Sequence, residues 1–78
     1  MSPLYPLNEL SCGQSAVVCR LNTQGLMRRR LMDLGLQPGA SIQALFRSCF
    51  GDNCAYRIGG AVIALRSYDA ATVLVQQP

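Results

Sequence analysis

Short apolar segments alternate with glycine-centred turns along this chain. Turn signals fall at Gly13, Gly25, Gly35, Pro38-Gly39, Gly51-Asp52-Asn53 and Gly59-Gly60. That spacing predicts several short strands and little helix. Ser15 to Leu21 is β-rich, and strand periodicity places Val17, Cys19 and Leu21 on one face. In Ser41 to Arg47 the alternation puts Ile42, Ala44 and Phe46 inward and leaves Leu45 on the polar face with Gln43 and Arg47. Cys54 to Ile58 repeats the pattern, with Tyr56 and Ile58 inward and Arg57 outward. Gly59-Gly60 then reads as a two-residue hairpin loop. Ala61 to Arg66 returns with Ile63 and Leu65 inward, Ser67 to Ala70 reads as a short 3₁₀ turn, and Thr72 to Val75 closes with Val73 and Val75 inward.

One stretch follows a helical period instead. Met27, Leu31 and Leu34 fall at i, i+4 and i+7, which predicts a helix over Thr23 to Gly35 with Asn22 or Thr23 as its cap. Gly35 suits the left-handed C′ position, so Leu36 would pack back on Leu31 in a Schellman motif. Leu4, Leu7 and Leu10 lie three apart and predict one helical turn over an end of the core. The fold class expected is all-β with one short helix: a small barrel of about five strands, forming a single domain over residues 1–78.

Composition agrees with a compact module. Half of the 78 residues are apolar and only 14% are charged, too apolar for a disordered chain. A domain this size buries only about 60% of the surface its unfolded chain exposes. The longest apolar runs, Ala16–Cys19 and Ala61–Leu65, are far short of a membrane-spanning helix. The N-terminal residues have neither the basic nor the apolar region of a secretory signal, so a cytoplasmic protein with reduced thiols is expected.

The residue inventory argues against an enzyme. There is no histidine, which excludes a Ser–His or Cys–His pair, and the four carboxylates Glu9, Asp33, Asp52 and Asp69 are spread along the sequence with nothing that pairs them. Of the four cysteines, Cys49 and Cys54 have four residues between them, a spacing tolerable for half of a zinc site. They are the candidates for weak Fe²⁺ or Zn²⁺ binding; no cofactor is required. The bland reading keeps Cys19 and Cys54 as small core hydrophobes.

Charge adds a docking candidate. All seven basic residues are arginine, the net charge is +3, and Arg28, Arg29 and Arg30 are consecutive. On a helix they fan over about 200°, and a solvated face is their simplest role. Their alternative is an electropositive patch for an acidic partner. Leu26 and Met32 fall off the apolar stripe of the helix and, if exposed, would be hydrophobic anchors among arginines; Leu45 is a further anchor candidate. Nucleic acid is not expected: lysine, tryptophan and a stacking array are missing. The apolar excess is compatible with a homodimer.

A family resemblance rests on an ordered set of segments. Arg28-Arg29-Arg30-Leu31-Met32-Asp33-Leu34-Gly35-Leu36-Gln37-Pro38-Gly39 resembles the helix–turn signature of FeoA-type domains. Leu7 to Gln14 resembles their opening. Gly51-Asp52, Tyr56 to Gly60, Ile63 to Arg66 and Asp69-Ala70 resemble their second half. The loop departs from the family pattern, because Cys49 and Asn53 stand where relatives often carry proline. The resemblance implies an SH3-like barrel with a helix inserted between early strands. It implies a small cytosolic accessory that binds and modulates a FeoB-type ferrous iron permease, touching the membrane only through that partner. Iron-dependent repressors end in a similar domain, and length sets this chain apart from them. A metal-binding regulatory or sensor module of iron homeostasis is the alternative function.

Overall fold

The computed structural model describes residues 3–47 and 53–78. The chain runs β1 (Tyr5–Pro6), a 3₁₀ turn (Leu7–Glu9), β2 (Ser15–Leu21), α1 (Gly25–Asp33), β3 (Ser41–Arg47), β4 (Asn53–Ile58), β5 (Ala61–Arg66), α2 (Ser67–Ala70) and β6 (Val73–Gln76). The strands form one antiparallel sheet in the order β1-β6-β2-β3-β4-β5. Six strands are therefore described where about five were predicted; the added one is the two-residue β1, which pairs Tyr5 with Val75 and Pro6 with Leu74. The sheet wraps a core to which every later strand contributes, including Val18, Ile42, Tyr56, Leu65 and Val75. Leu7 and Leu10 plug its end, as their spacing predicted, whereas Leu4 is exposed. Arg47 holds that plug in place: its Nη2 donates to the carbonyl of Asn8 at 2.8 Å and to that of Leu10 at 3.4 Å.

Two β-bulges correct the predicted faces. In β2, Ala16 and Val18 are buried, while Val17 and Cys19 are only half-buried. The register against β6 slips between Val18 and Arg20. Cys19 is the extra residue, and the slip returns Leu21 to the interior. In β3 the register against β4 slips between Ala44 and Phe46, so Phe46 sits opposite Ala55 rather than following Ala44 inward. Phe46 is 63% exposed, and Leu45, the extra residue, is half-buried.

The helix is shorter than predicted. It starts at Gly25, and neither Asn22 nor Thr23 caps it; Gln24 is the N-cap residue and makes no side-chain cap bond. Thr23 is buried and hydrogen-bonds Thr72 through the two side-chain hydroxyls. Because the Thr72 hydroxyl donates to the Asp69 carbonyl at 2.6 Å, the Thr23 hydroxyl is the donor of the pair. Thr23→Val should cost about 1 kcal/mol. Thr72→Val loses two hydrogen bonds and leaves the Thr23 hydroxyl without its acceptor, while the Asp69 carbonyl keeps the Thr72 amide at 3.1 Å, so it should cost about twice as much. Urea denaturation of the two variants checks the order.

The C-terminal end of α1 follows the predicted motif. The Leu36 amide donates to the Leu31 carbonyl at 3.0 Å and the Gly35 amide to the Met32 carbonyl at 3.0 Å, a Schellman pair. Leu31 and Leu36 are both fully buried. Met27 and Leu34 only border the core; Leu34 is 40% exposed. The segment Ser67–Ala70 is a single α-turn rather than the predicted 3₁₀ turn. None of the described helices is long and apolar enough to cross a membrane.

Candidate partner-binding site

Burial of Leu31 fixes how α1 sits on the barrel. Helical spacing then places Met27, Arg30 and Leu34 on the flank of α1 that faces β5. Between this flank and β5 runs an open cleft of about 400 Å³. Its apolar lining comes from Met27, Leu31 and Leu34 on one side and Ile63 and Leu65 on the other. Arg30 and Arg66 bring two cations to it, and Asp69 brings one carboxylate. This is a groove with an apolar floor and an electropositive edge, suited to an apolar side chain and a carboxylate together.

The sequence candidates divide. Arg30 lines the main cleft. Arg28, Arg29 and Met32 line a shallower depression with Asp33. Arg28 is not simply a free charge, because its Nη1 donates to the Leu21 carbonyl at 2.7 Å and ties the helix to the end of β2. Leu26 is 85% exposed and lines neither depression. Met32 packs partly against the core. Leu45 sits at the β3 bulge, on another part of the barrel. Sequence reasoning missed Arg66, Ile63 and Leu65 as cleft residues. Their role depends on α1 meeting β5, a contact with no local signal. It also missed the exposed Phe46, because the bulge that turns it outward has no signature in the alternation.

The described thiols differ in exposure. Cys12 is exposed, Cys19 half-buried and Cys54 buried. Cys54 therefore fits the reading as a small core hydrophobe, while Cys19 sits at the bulge outside it. Cys49 lies outside the described residues. Among the described residues no three His, Cys, Asp or Glu side chains come together as a metal site. The donor set they supply does not fit a closed metal centre.

Beside Cys54, burial pushes the Tyr56 phenol well above its ordinary value, and Cys54 raises it further; Arg47 opposes both only in part. The folded state then holds this proton more tightly than the unfolded chain does. Stability from the neutral phenol is fully present below about pH 10, the unfolded value, and is lost as pH rises beyond it. Alkaline unfolding followed by circular dichroism should begin above about pH 10 and should be displaced upward in Tyr56→Phe.

Comparison with known proteins places the chain. The FeoA domain model matches residues 5–77. The chain belongs to the FeoA domain family. It is 33% identical over 70 residues, 90% of its length, to a fusion protein of Porphyromonas gingivalis that joins Fe(2+) transport protein A to the Fe(2+) transporter FeoB. It spans only 8% of that relative's length. The solution structure of FeoA from Chlorobium tepidum superimposes with a TM-score of 0.87 at 33% identity, over 92% of this chain and 69% of that one. The crystal structure of Stenotrophomonas maltophilia FeoA in complex with zinc gives a TM-score of 0.77 at 28% identity, over 97% and 89%. That protein is described as a prokaryotic SH3 domain protein. The fold here is the same SH3-like barrel, with α1 inserted between β2 and β3 as the resemblance implied. FeoA proteins are linked to Fe²⁺ transport.

Proposed function

We propose that this chain is a cytoplasmic, non-catalytic accessory of ferrous iron transport. It is a single domain over residues 1–78 that docks on the cytosolic side of a FeoB-type permease and modulates it. The observation that carries this reading is the Porphyromonas gingivalis relative, in which a matching segment and the transporter FeoB share one chain. Fusion keeps two partners at high effective concentration, and a separate domain must reach the same partner by its own surface. The cleft between α1 and β5, with Arg30 and Arg66 at its edge, is the surface best built for that role. The test is affinity capture with this chain as bait from detergent-solubilised membranes that contain the permease of the same organism. The permease should be retained. Its absence from the eluate under near-native conditions overturns the reading.

A second reading is favoured by the zinc in the Stenotrophomonas maltophilia structure. In it the chain is a metal-responsive module that binds Fe²⁺ or Zn²⁺ through Cys49 and Cys54. Burial of Cys54 weighs against it. Anaerobic titration with either metal should show stoichiometric binding that disappears when both cysteines are changed to serine. Unchanged affinity in that variant removes the thiol version.

A further inference from the structure

The cleft has one wall made of a strand, and that wall is an open sheet edge. Among the described residues β5 pairs only with β4. The register follows from the hairpin: Ile58 faces Ala61 across the two-residue loop Gly59-Gly60. In a two-residue hairpin the closing pair is hydrogen-bonded, and pairs alternate from there. Ala61, Ile63 and Leu65 therefore spend their backbone groups on β4. Val62, Ala64 and Arg66 turn theirs away from it, and of these Ala64 and Arg66 line the cleft to α1.

Natural edge strands are usually guarded by lysine, proline or inward charge. β5 reads Ala-Val-Ile-Ala-Leu-Arg and has no such guard before Arg66. Across the gap, α1 supplies the apolar Met27, Leu31 and Leu34. A strand–gap–helix slot of this kind accepts an extended chain: the strand offers backbone pairing, and the helix offers pockets for alternate side chains. The charges restrict which chain. Arg30 and Arg66 line the slot against the one carboxylate of Asp69.

We propose that the slot between α1 and β5 binds an extended acidic–apolar segment of a partner protein, which adds to β5 as a further antiparallel or parallel strand. Its apolar side chains sit against Met27, Leu34 and Ile63, and its carboxylates meet Arg30 and Arg66. This deepens the docking role proposed above and rests on it, naming the mode of recognition and the chemistry of the partner segment.

The test uses the whole chain and two synthetic peptides, one alternating valine with glutamate and one alternating valine with lysine. Amide hydrogen exchange and chemical shifts are followed by NMR. The glutamate peptide should slow exchange at the Val62, Ala64 and Arg66 amides and shift the methyls of Met27 and Leu34. The lysine peptide should not. Arg30→Glu combined with Arg66→Glu should weaken glutamate-peptide binding on the order of tenfold, two charge pairs lost and reversed. Ala64→Pro removes an outward-facing amide that β4 does not use, a position where edge strands tolerate proline. It should abolish the exchange protection while the β4–β5 pairing persists. No protection at millimolar glutamate peptide, or an equal response to the lysine peptide, overturns the proposal. The same variants then serve as bait for the permease. If wild type captures it and both variants capture it equally, the slot mode fails while the docking role stands; if wild type itself captures nothing, the docking role fails.

Discussion

Leu31→Ala is expected to lower the stability of this domain by about 3 kcal/mol. Leu31 is the one fully buried residue of α1 and meets the barrel core directly. Its removal leaves a cavity under the helix in addition to the lost transfer free energy, and leucine-to-alanine changes of this type cost about 2–5 kcal/mol. A chain of 78 residues has roughly 4–12 kcal/mol in hand at about 0.05–0.15 kcal/mol per residue. The variant should therefore stand close to its unfolding threshold at physiological temperature. Urea denaturation read by circular dichroism should show a lower midpoint with the slope unchanged. Leu26→Ala is the control: its side chain is almost free in solvent, and its stability should stay within about 0.5 kcal/mol of wild type. A loss below about 1 kcal/mol for Leu31→Ala would mean that α1 is not held by this contact.

The strand positions and the helix C-terminus were legible because each rests on local chemistry. Gly59-Gly60 can serve only a tight loop between two alternating segments. Gly35 has φ of +108°, and its place after the Met27, Leu31 spacing announced the end of the helix. What failed was parity. In Ser15 to Leu21 almost every side chain is apolar, so the pattern cannot distinguish Ala16 and Val18 from Val17 and Cys19 as the inner face. In Ser41 to Arg47 the alternation was clear, but the β3 bulge overrode it beyond Ala44. The β2 slip lies in register with β6, distant in sequence, and the β3 slip in register with the next strand, β4; neither leaves a mark on the alternation. The site divided in the same way. The arginine run on α1 could be seen, whereas Arg66 and the open edge of β5 became functional candidates only once the sheet order was known. Arg28 shows a role that the arginine run did not announce: its guanidinium donates to the Leu21 carbonyl and ties α1 to the end of β2.

Gly35→Ala is expected to cost about 2–3 kcal/mol, and its comparison with Gly39→Ala separates two causes. Both glycines have positive φ, +108° at Gly35 and +95° at Gly39. A residue with a Cβ pays roughly 1–2 kcal/mol for that backbone region. At Gly39 a new Cβ would meet nothing within 4 Å, whereas at Gly35 it would approach Ile58 Cγ2 at 3.2 Å. The Ile58 side chain is buried in the core and has little room to give. Gly39→Ala thus reports the backbone cost alone, and the excess at Gly35 reports the approach of the helix end to β4. That excess should be about 1 kcal/mol; equal losses at the two positions would show that the Ile58 contact yields freely. The same contact reaches the function proposed here. Gly35 seats the end of α1 on β4, and the width of the slot depends on where α1 stands relative to β5. Gly35→Ala should therefore weaken binding of the glutamate peptide even at temperatures where the variant remains folded, while Gly39→Ala should leave that binding unchanged.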